Sequence, residues 1–191
     1  MVSFTQFSKN YLDQLSSCFT YNQISNMKIL SDAIIDVWMY KKTLFLCGNG
    51  GSGANALHIA NDLHFGLGHM LKDKKNGLIA DALVSNTAVL TCLANDLGYE
   101  SIFSNQIEVK ASKKDILVVL SGSGNSPNII RAIKAAKSKE MKTFSILGFD
   151  GGLAKKITDY SIHFPVNDMQ IAEDTQAVSY THLRAHETDS Y

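Results

Sequence analysis

Apolar positions in the first forty residues recur at intervals of three and four. Phe4, Phe7, Tyr11, Leu15 and Phe19 form one series, and Ile24, Met27, Leu30, Ile34 and Trp38 form a second. This spacing predicts helices, with Tyr21-Asn22-Gln23 as the break between them. From Thr43 the period changes. Continuous apolar runs occur at Thr43–Cys47, Asp81–Val84, Ile116–Leu120, Thr143–Leu147 and Ser161–Pro165. Such runs suit strands covered on both faces, as in a parallel sheet. Helical patterns lie between them at Ala54–Leu63, Thr87–Asn95 and Asn128–Lys139. Alternating strand and helix predicts an α/β fold with a doubly wound sheet. The helices before the first strand must then cover the domain or meet another subunit.

The end of the chain breaks the pattern. Ile171-Ala172-Glu173-Asp174-Thr175-Gln176 starts a helix, but Ser179 to Thr188 lacks the apolar stripe of a closing helix. That segment holds His182, His186 and one of only two arginines, Arg184. It resembles a translated sequencing-adapter tail. Residues 178–191 are therefore expected to be non-native, and residues 1–177 to form a single domain.

Composition narrows the function classes. The chain has 191 residues, with 18 basic and 18 acidic side chains and a formal net charge of zero. A neutral balance argues against nucleic acid or an anionic membrane surface as partner. No apolar run approaches the ~18 residues of a membrane-spanning helix, and the N-terminus is too polar for a signal peptide. Cys18, Cys47 and Cys92 are odd in number and match no metal-knuckle spacing. They are expected to be reduced and to pack as small hydrophobes, in a cytoplasmic protein. Lys72–Asn76 reads as a charged surface loop.

Two glycine loops follow strands. Cys47-Gly48-Asn49-Gly50-Gly51-Ser52-Gly53 formally fits G-x-G-x-x-G. A dinucleotide site would also need an acidic residue closing the second strand, where Val84-Ser85 stands, and a Walker loop would need Gly-Lys-Ser/Thr. A nucleotide-binding domain stays as the weakest reading, and no nucleotide cofactor is expected. Ser121-Gly122-Ser123-Gly124-Asn125-Ser126-Pro127-Asn128 is more informative. Glycine frees backbone N–H groups to converge on an anion, and serine hydroxyls add neutral donors. Pro127 suits the first helical turn with Ser126 as its N-cap. The alternative is that Ser126 only caps and the glycines only turn.

CGNGGSGANALHIANDL, TAVLTCLANDLGYESIFSNQIE and VVLSGSGNSPN, in this order, resemble the sugar isomerase (SIS) domain. More closely they resemble the phosphoheptose isomerase family, over about residues 43–176. The resemblance implies a three-layer αβα sandwich with a five-stranded parallel sheet and N-terminal helices at a subunit interface. It implies a phosphorylated sugar as substrate and a homo-oligomer, dimer or tetramer. By position it makes Asn49, Gly50, Gly51 and Ser52 the first substrate loop, and Ser121, Gly122, Ser123 and Ser126 the phosphate loop. Asn95 and Asp96 fall on a pair in the family's sugar site; the alternative reading of Asn95 is a helix C-cap before Gly98.

Moving a proton between adjacent carbons needs a base, and an acid or metal to support the enediolate. His58 and Asp62, four apart, share one helix face. They read either as a surface hydrogen bond or as chemistry. The resemblance makes His58 a zinc-binding histidine and sets Asp62 where the family has an acid–base, metal-contacting glutamate. Zinc is thereby the candidate cofactor. Asp62 is one methylene shorter than that glutamate. The family's later glutamine aligns with Ala172, and its last histidine falls near 180 or 181, inside the expected tail. The implied reaction is sedoheptulose 7-phosphate to glycero-manno-heptose 7-phosphate. The alternative is a non-catalytic SIS module that binds a sugar phosphate or a protein partner. His64 and His69 are expected to be peripheral, and His163 structural.

Overall fold

A computed structural model describes residues 2–70 and 77–188, with backbone only for 66–70 and 182–188. Five parallel strands form one sheet: β1 Thr43–Gly48, β2 Ile79–Ala82, β3 Ile116–Ser121, β4 Lys142–Leu147 and β5 Tyr160–His163. Their order is β2-β1-β3-β4-β5. Eight α-helices join and flank them among the described residues: α1 Phe4–Ser17, α2 Tyr21–Met39, α3 Gly50–Met70, α4 Thr87–Leu97, α5 Ser104–Lys110, α6 Pro127–Ser138, α7 Gly152–Ile157 and α8 Met169–Thr188.

The continuous apolar strands are explained by the two layers they separate. Leu44, Leu46, Ile116, Val118 and Leu120 face one core, with Met27, Leu30 and Ile34 of α2, Ile59 and Leu63 of α3, and Ile171 of α8. Phe45, Cys47, Leu117 and Val119 face the other core, with Ile102 and Phe103 before α5, Ile107 of α5, and Ile129 and Ile133 of α6. Successive strand residues point to opposite faces, so both must be apolar. This is the expected three-layer α/β sandwich. Carboxylates pin the strand starts. Asp115 accepts from Thr43 N at 2.9 Å and Ser112 N at 2.7 Å, tying the entry of β1 to that of β3.

Four expectations need adjustment. The helix break falls at Cys18–Thr20, and Tyr21–Gln23 open α2 instead. β2 lies two residues earlier than Asp81–Val84, because Leu83 and Val84 form the strand's exit toward α4. Cys47 is buried as expected, whereas Cys92 is exposed with its thiol 3.6 Å from Asp96. The closing helix forms: α8 carries a buried stripe of Ile171, Ala172, Thr175, Gln176, Ser179 and Tyr180. Three of those six are hydroxyl or amide residues that an apolar count passes over, among them Ser179, whose hydroxyl donates back to Thr175 O at 2.6 Å. Lys72–Asn76 lies outside the described residues.

Candidate functional site

In an open parallel sheet, ligands bind outside the carboxyl ends of the strands where strand order reverses. Here that switch lies between β1 and β3. Both glycine loops leave those two strand ends, so the topology brings together the two segments singled out in the sequence.

The loops touch through an amide pair. Asn49 Nδ2 donates to Asn128 Oδ1 at 3.0 Å, and Asn128 Nδ2 donates to Asn49 Oδ1 at 2.7 Å. Tyr99 Oη donates to the same Asn49 Oδ1 at 3.0 Å. Close backbone approaches leave no room for a side chain at one glycine of each loop. A Cβ on Gly48 would stand 2.6 Å from the Ser52 carbonyl, and one on Gly124 would overlap the Gly151 carbonyl. Gly50 and Gly124 also sit at φ +53° and +65°, where a side chain is strained.

In the second loop, Ser121 Oγ accepts from Gly124 N at 3.1 Å, and Ser123 Oγ accepts from Asn125 N at 3.3 Å. Ser126 occupies the N-cap position of α6 with extended backbone, yet its side chain makes no cap hydrogen bond. Capping therefore does not account for its hydroxyl.

Helix α8 closes the first loop from above. Gln176 Nε2 donates to Ser52 Oγ at 3.0 Å, and Asn55 Nδ2 donates to Gln176 Oε1 at 3.1 Å and Glu173 O at 2.9 Å. The Glu173 carboxylate packs onto Gly51, where a Cβ would overlap it. Further along the same seam, the rings of His58 and Tyr180 meet edge to face at 6.0 Å. Sequence reasoning misses the roles of Glu173, Gln176 and Tyr99, which reach the first loop from distant elements, and that of Asn128, which ends the second loop's string but pairs with Asn49 across 79 residues of chain.

His58 Nε2 and Asp62 Oδ2 lie 3.7 Å apart, beyond hydrogen-bond range, with side chains 62% and 25% exposed. The surface hydrogen-bond reading therefore fails on distance. His58 is seven residues past Gly51, about 10 Å along α3 at 1.5 Å per residue. Asn95 and Asp96 form their own contact at 2.7 Å on the exposed end of α4. The C-cap there is Gly98, at φ +86°, which removes the capping reading of Asn95. His163 is structural: Nε2 contacts Phe149 O at 2.9 Å and the other ring nitrogen contacts Lys155 Nζ at 3.0 Å. His64 is exposed, and the side chain of His69 lies outside the described residues.

A zinc ion takes four ligands, three of them from protein even at an open catalytic site. Among the described residues no group of three His, Cys, Asp or Glu side chains converges. Beside His58 stands the Tyr180 ring, and Ala172 packs against Gly148. Of the expected zinc ligands, the described residues bring His58 and Asp62 to one face of α3.

A family profile described as the SIS domain matches residues 6–148. The chain belongs to the SIS-domain family. Within that family, a phosphoheptose isomerase from Helicobacter pylori is 42% identical over 125 residues, 65% of this chain and 63% of the relative. The chain thus spans less than two thirds of that relative's length. A phosphoheptose isomerase from Synechocystis is 32% identical over 172 residues, 90% of this chain and 87% of the relative. The structure of a phosphoheptose isomerase from Neisseria gonorrhoeae superposes with a TM-score of 0.84 at 25% identity, covering 97% and 96% of the two chains. These matches bear out the SIS fold expected from the three motifs.

Proposed function

We propose that this chain is a phosphosugar isomerase that converts sedoheptulose 7-phosphate to glycero-manno-heptose 7-phosphate. The observation that carries the reading is the serine loop at the β1/β3 switch, whose Ser126 hydroxyl has no capping partner. Neutral hydroxyl and amide donors suit a phosphate in a chain of zero net charge. Phosphoheptose isomerases among its relatives supply the substrate class.

In this proposal Ser121, Gly122, Ser123 and Ser126 hold the phosphate, and Asn49, Gly50, Gly51 and Ser52 meet the sugar. Asn95 and Asp96 close the sugar side. Asp62 takes the proton from C1 of the ketose while the C2 carbonyl oxygen gains one. His58 supports the enediolate charge, the proton returns to C2, and O1 loses its proton to become the aldehyde. No step is routed through zinc.

Assembly belongs to the same proposal. Phe4 is 84% exposed and Phe7 63% exposed on α1, a covering helix with no fully buried residue. Such a face favours a dimer or tetramer built on the N-terminal helices. No described helix is long and apolar enough to cross a membrane, and the proposed setting is the cytoplasm.

A second reading, a non-catalytic sugar-phosphate module, is favoured by the 3.7 Å His58–Asp62 separation and by the exposure of His58. Incubating the chain with sedoheptulose 7-phosphate separates the two. Aldose formation supports the isomerase. Saturable phosphate binding without aldose supports the module.

A further inference from the structure

We propose that Asn128 and Tyr99 are positioning residues that set the sugar loop against the phosphate loop through the Asn49 amide, an inference that rests on the phosphosugar reading above. Three segments far apart in sequence converge on one oxygen. Asn49 Oδ1 accepts from Asn128 Nδ2 at 2.7 Å and from Tyr99 Oη at 3.0 Å. Asn128 begins α6 immediately after the serine loop, and Tyr99 follows the Asn95-Asp96 pair.

The pairing has a defined orientation. Ile129 N donates to Asn128 Oδ1 at 3.0 Å, so the oxygen of that amide must face this N–H. Asn128 Nδ2 is then turned to Asn49, and the reciprocal bond from Asn49 Nδ2 to Asn128 Oδ1 at 3.0 Å fixes the second amide in turn. Asn128 is only 1% exposed, so its half of the pair is shielded from water. A buried amide that loses its partner keeps an unsatisfied dipole, which makes the closed pair the preferred state.

The consequence concerns Asn49. Its carbonyl oxygen already has two donors, and one of its two N–H groups is committed to Asn128. It therefore offers a ligand one N–H at most. Its main work is to hold Gly50 and Gly51 in register with Ser121–Ser126, so that a sugar anchored by its phosphate meets the first loop at a fixed offset. Fixing reacting groups in register is a large source of catalytic rate.

Amide hydrogen exchange tests this with inorganic phosphate as the probe. In the wild-type chain phosphate is expected to slow exchange at residues 121–126 and also at 48–53. Asn128→Ala should keep the first protection and lose the second. With sedoheptulose 7-phosphate, Asn128→Ala should lower kcat tenfold or more with KM within threefold of wild type. Tyr99→Phe, at a 59% exposed site that tolerates change, keeps the amide pair and should lower kcat two- to fivefold. Equal protection of 48–53 in Asn128→Ala, or protection that never reaches 48–53 in the wild type, overturns the inference alone. So does kcat within threefold of wild type in Asn128→Ala. Failure of phosphate to protect 121–126 in the wild type overturns the phosphosugar reading and this inference together.

Discussion

Gln176 on the closing helix donates to the Ser52 hydroxyl at 3.0 Å across 124 residues of chain, and both side chains are buried. This bond and the contact from Asn55 to Gln176 join α8 to the start of α3, directly behind the first glycine loop. Gln176→Ala leaves Ser52 and one Asn55 donor short of a partner. A loss of about 1–3 kcal/mol is expected for such groups. Urea unfolding should show a lower midpoint at unchanged slope.

Ser126 separates binding from folding. It stands at an N-cap without making a cap bond. A working cap serine is worth about 0.5–2 kcal/mol of stability. Ser126→Ala is therefore expected to leave the unfolding midpoint near wild type and to weaken inorganic phosphate binding about tenfold, or 1.4 kcal/mol. Calorimetric titration with phosphate, beside a melting curve, reads both quantities.

The glycines of the first loop differ in what they forbid. Gly50 has open space around a Cβ but a positive φ of 53°, so Gly50→Ala should cost about 1–2 kcal/mol from backbone strain. Gly48 faces the Ser52 carbonyl at 2.6 Å, which is helix backbone and cannot step aside. Gly48→Ala is expected to destabilise more than Gly50→Ala, and thermal unfolding of the two variants ranks them.

Tyr11 ties the covering helix α1 to α8, its hydroxyl donating to Asp174 Oδ2 at 2.6 Å. Burial, and then the Asp174 carboxylate, push its phenol up to about 12. A raised folded pKa favours the protonated form, so the contribution of this bond is whole below pH 10. It is lost as pH rises through about 12. Ultraviolet titration should show a late phenolate step that Tyr11→Phe removes and Asp174→Asn moves toward pH 10.

The sheet was legible because each central strand is buried on both faces and so reads as an unbroken apolar run. β2 was displaced in the sequence reading because it lies at the sheet edge, where Ile79 is exposed and the apolar signal shifts to Leu83 and Val84. The start of α8 is legible at Ile171–Gln176, but its continuation is not, because its buried stripe includes Thr175, Gln176 and Ser179, held by hydrogen bonds that hydropathy does not register. The first apolar series divides: Tyr11, Leu15 and Phe19 pack against the core, whereas Phe4 and Phe7 are exposed. The two glycine loops were legible from backbone chemistry. Their link through Asn128 was not, since Asn49 and Asn128 lie 79 residues apart with no local pattern between them.

The most direct measurement of the central claim is deuterium incorporation from heavy water during incubation of the wild-type chain with sedoheptulose 7-phosphate. It detects proton transfer at carbon even where turnover is slow. The account predicts label at C2 of the aldose and, by the reverse step, at C1 of the ketose, accumulation of the aldose, and loss of both in Asp62→Asn. Saturable binding of the sugar phosphate with no label in the wild-type chain would contradict it.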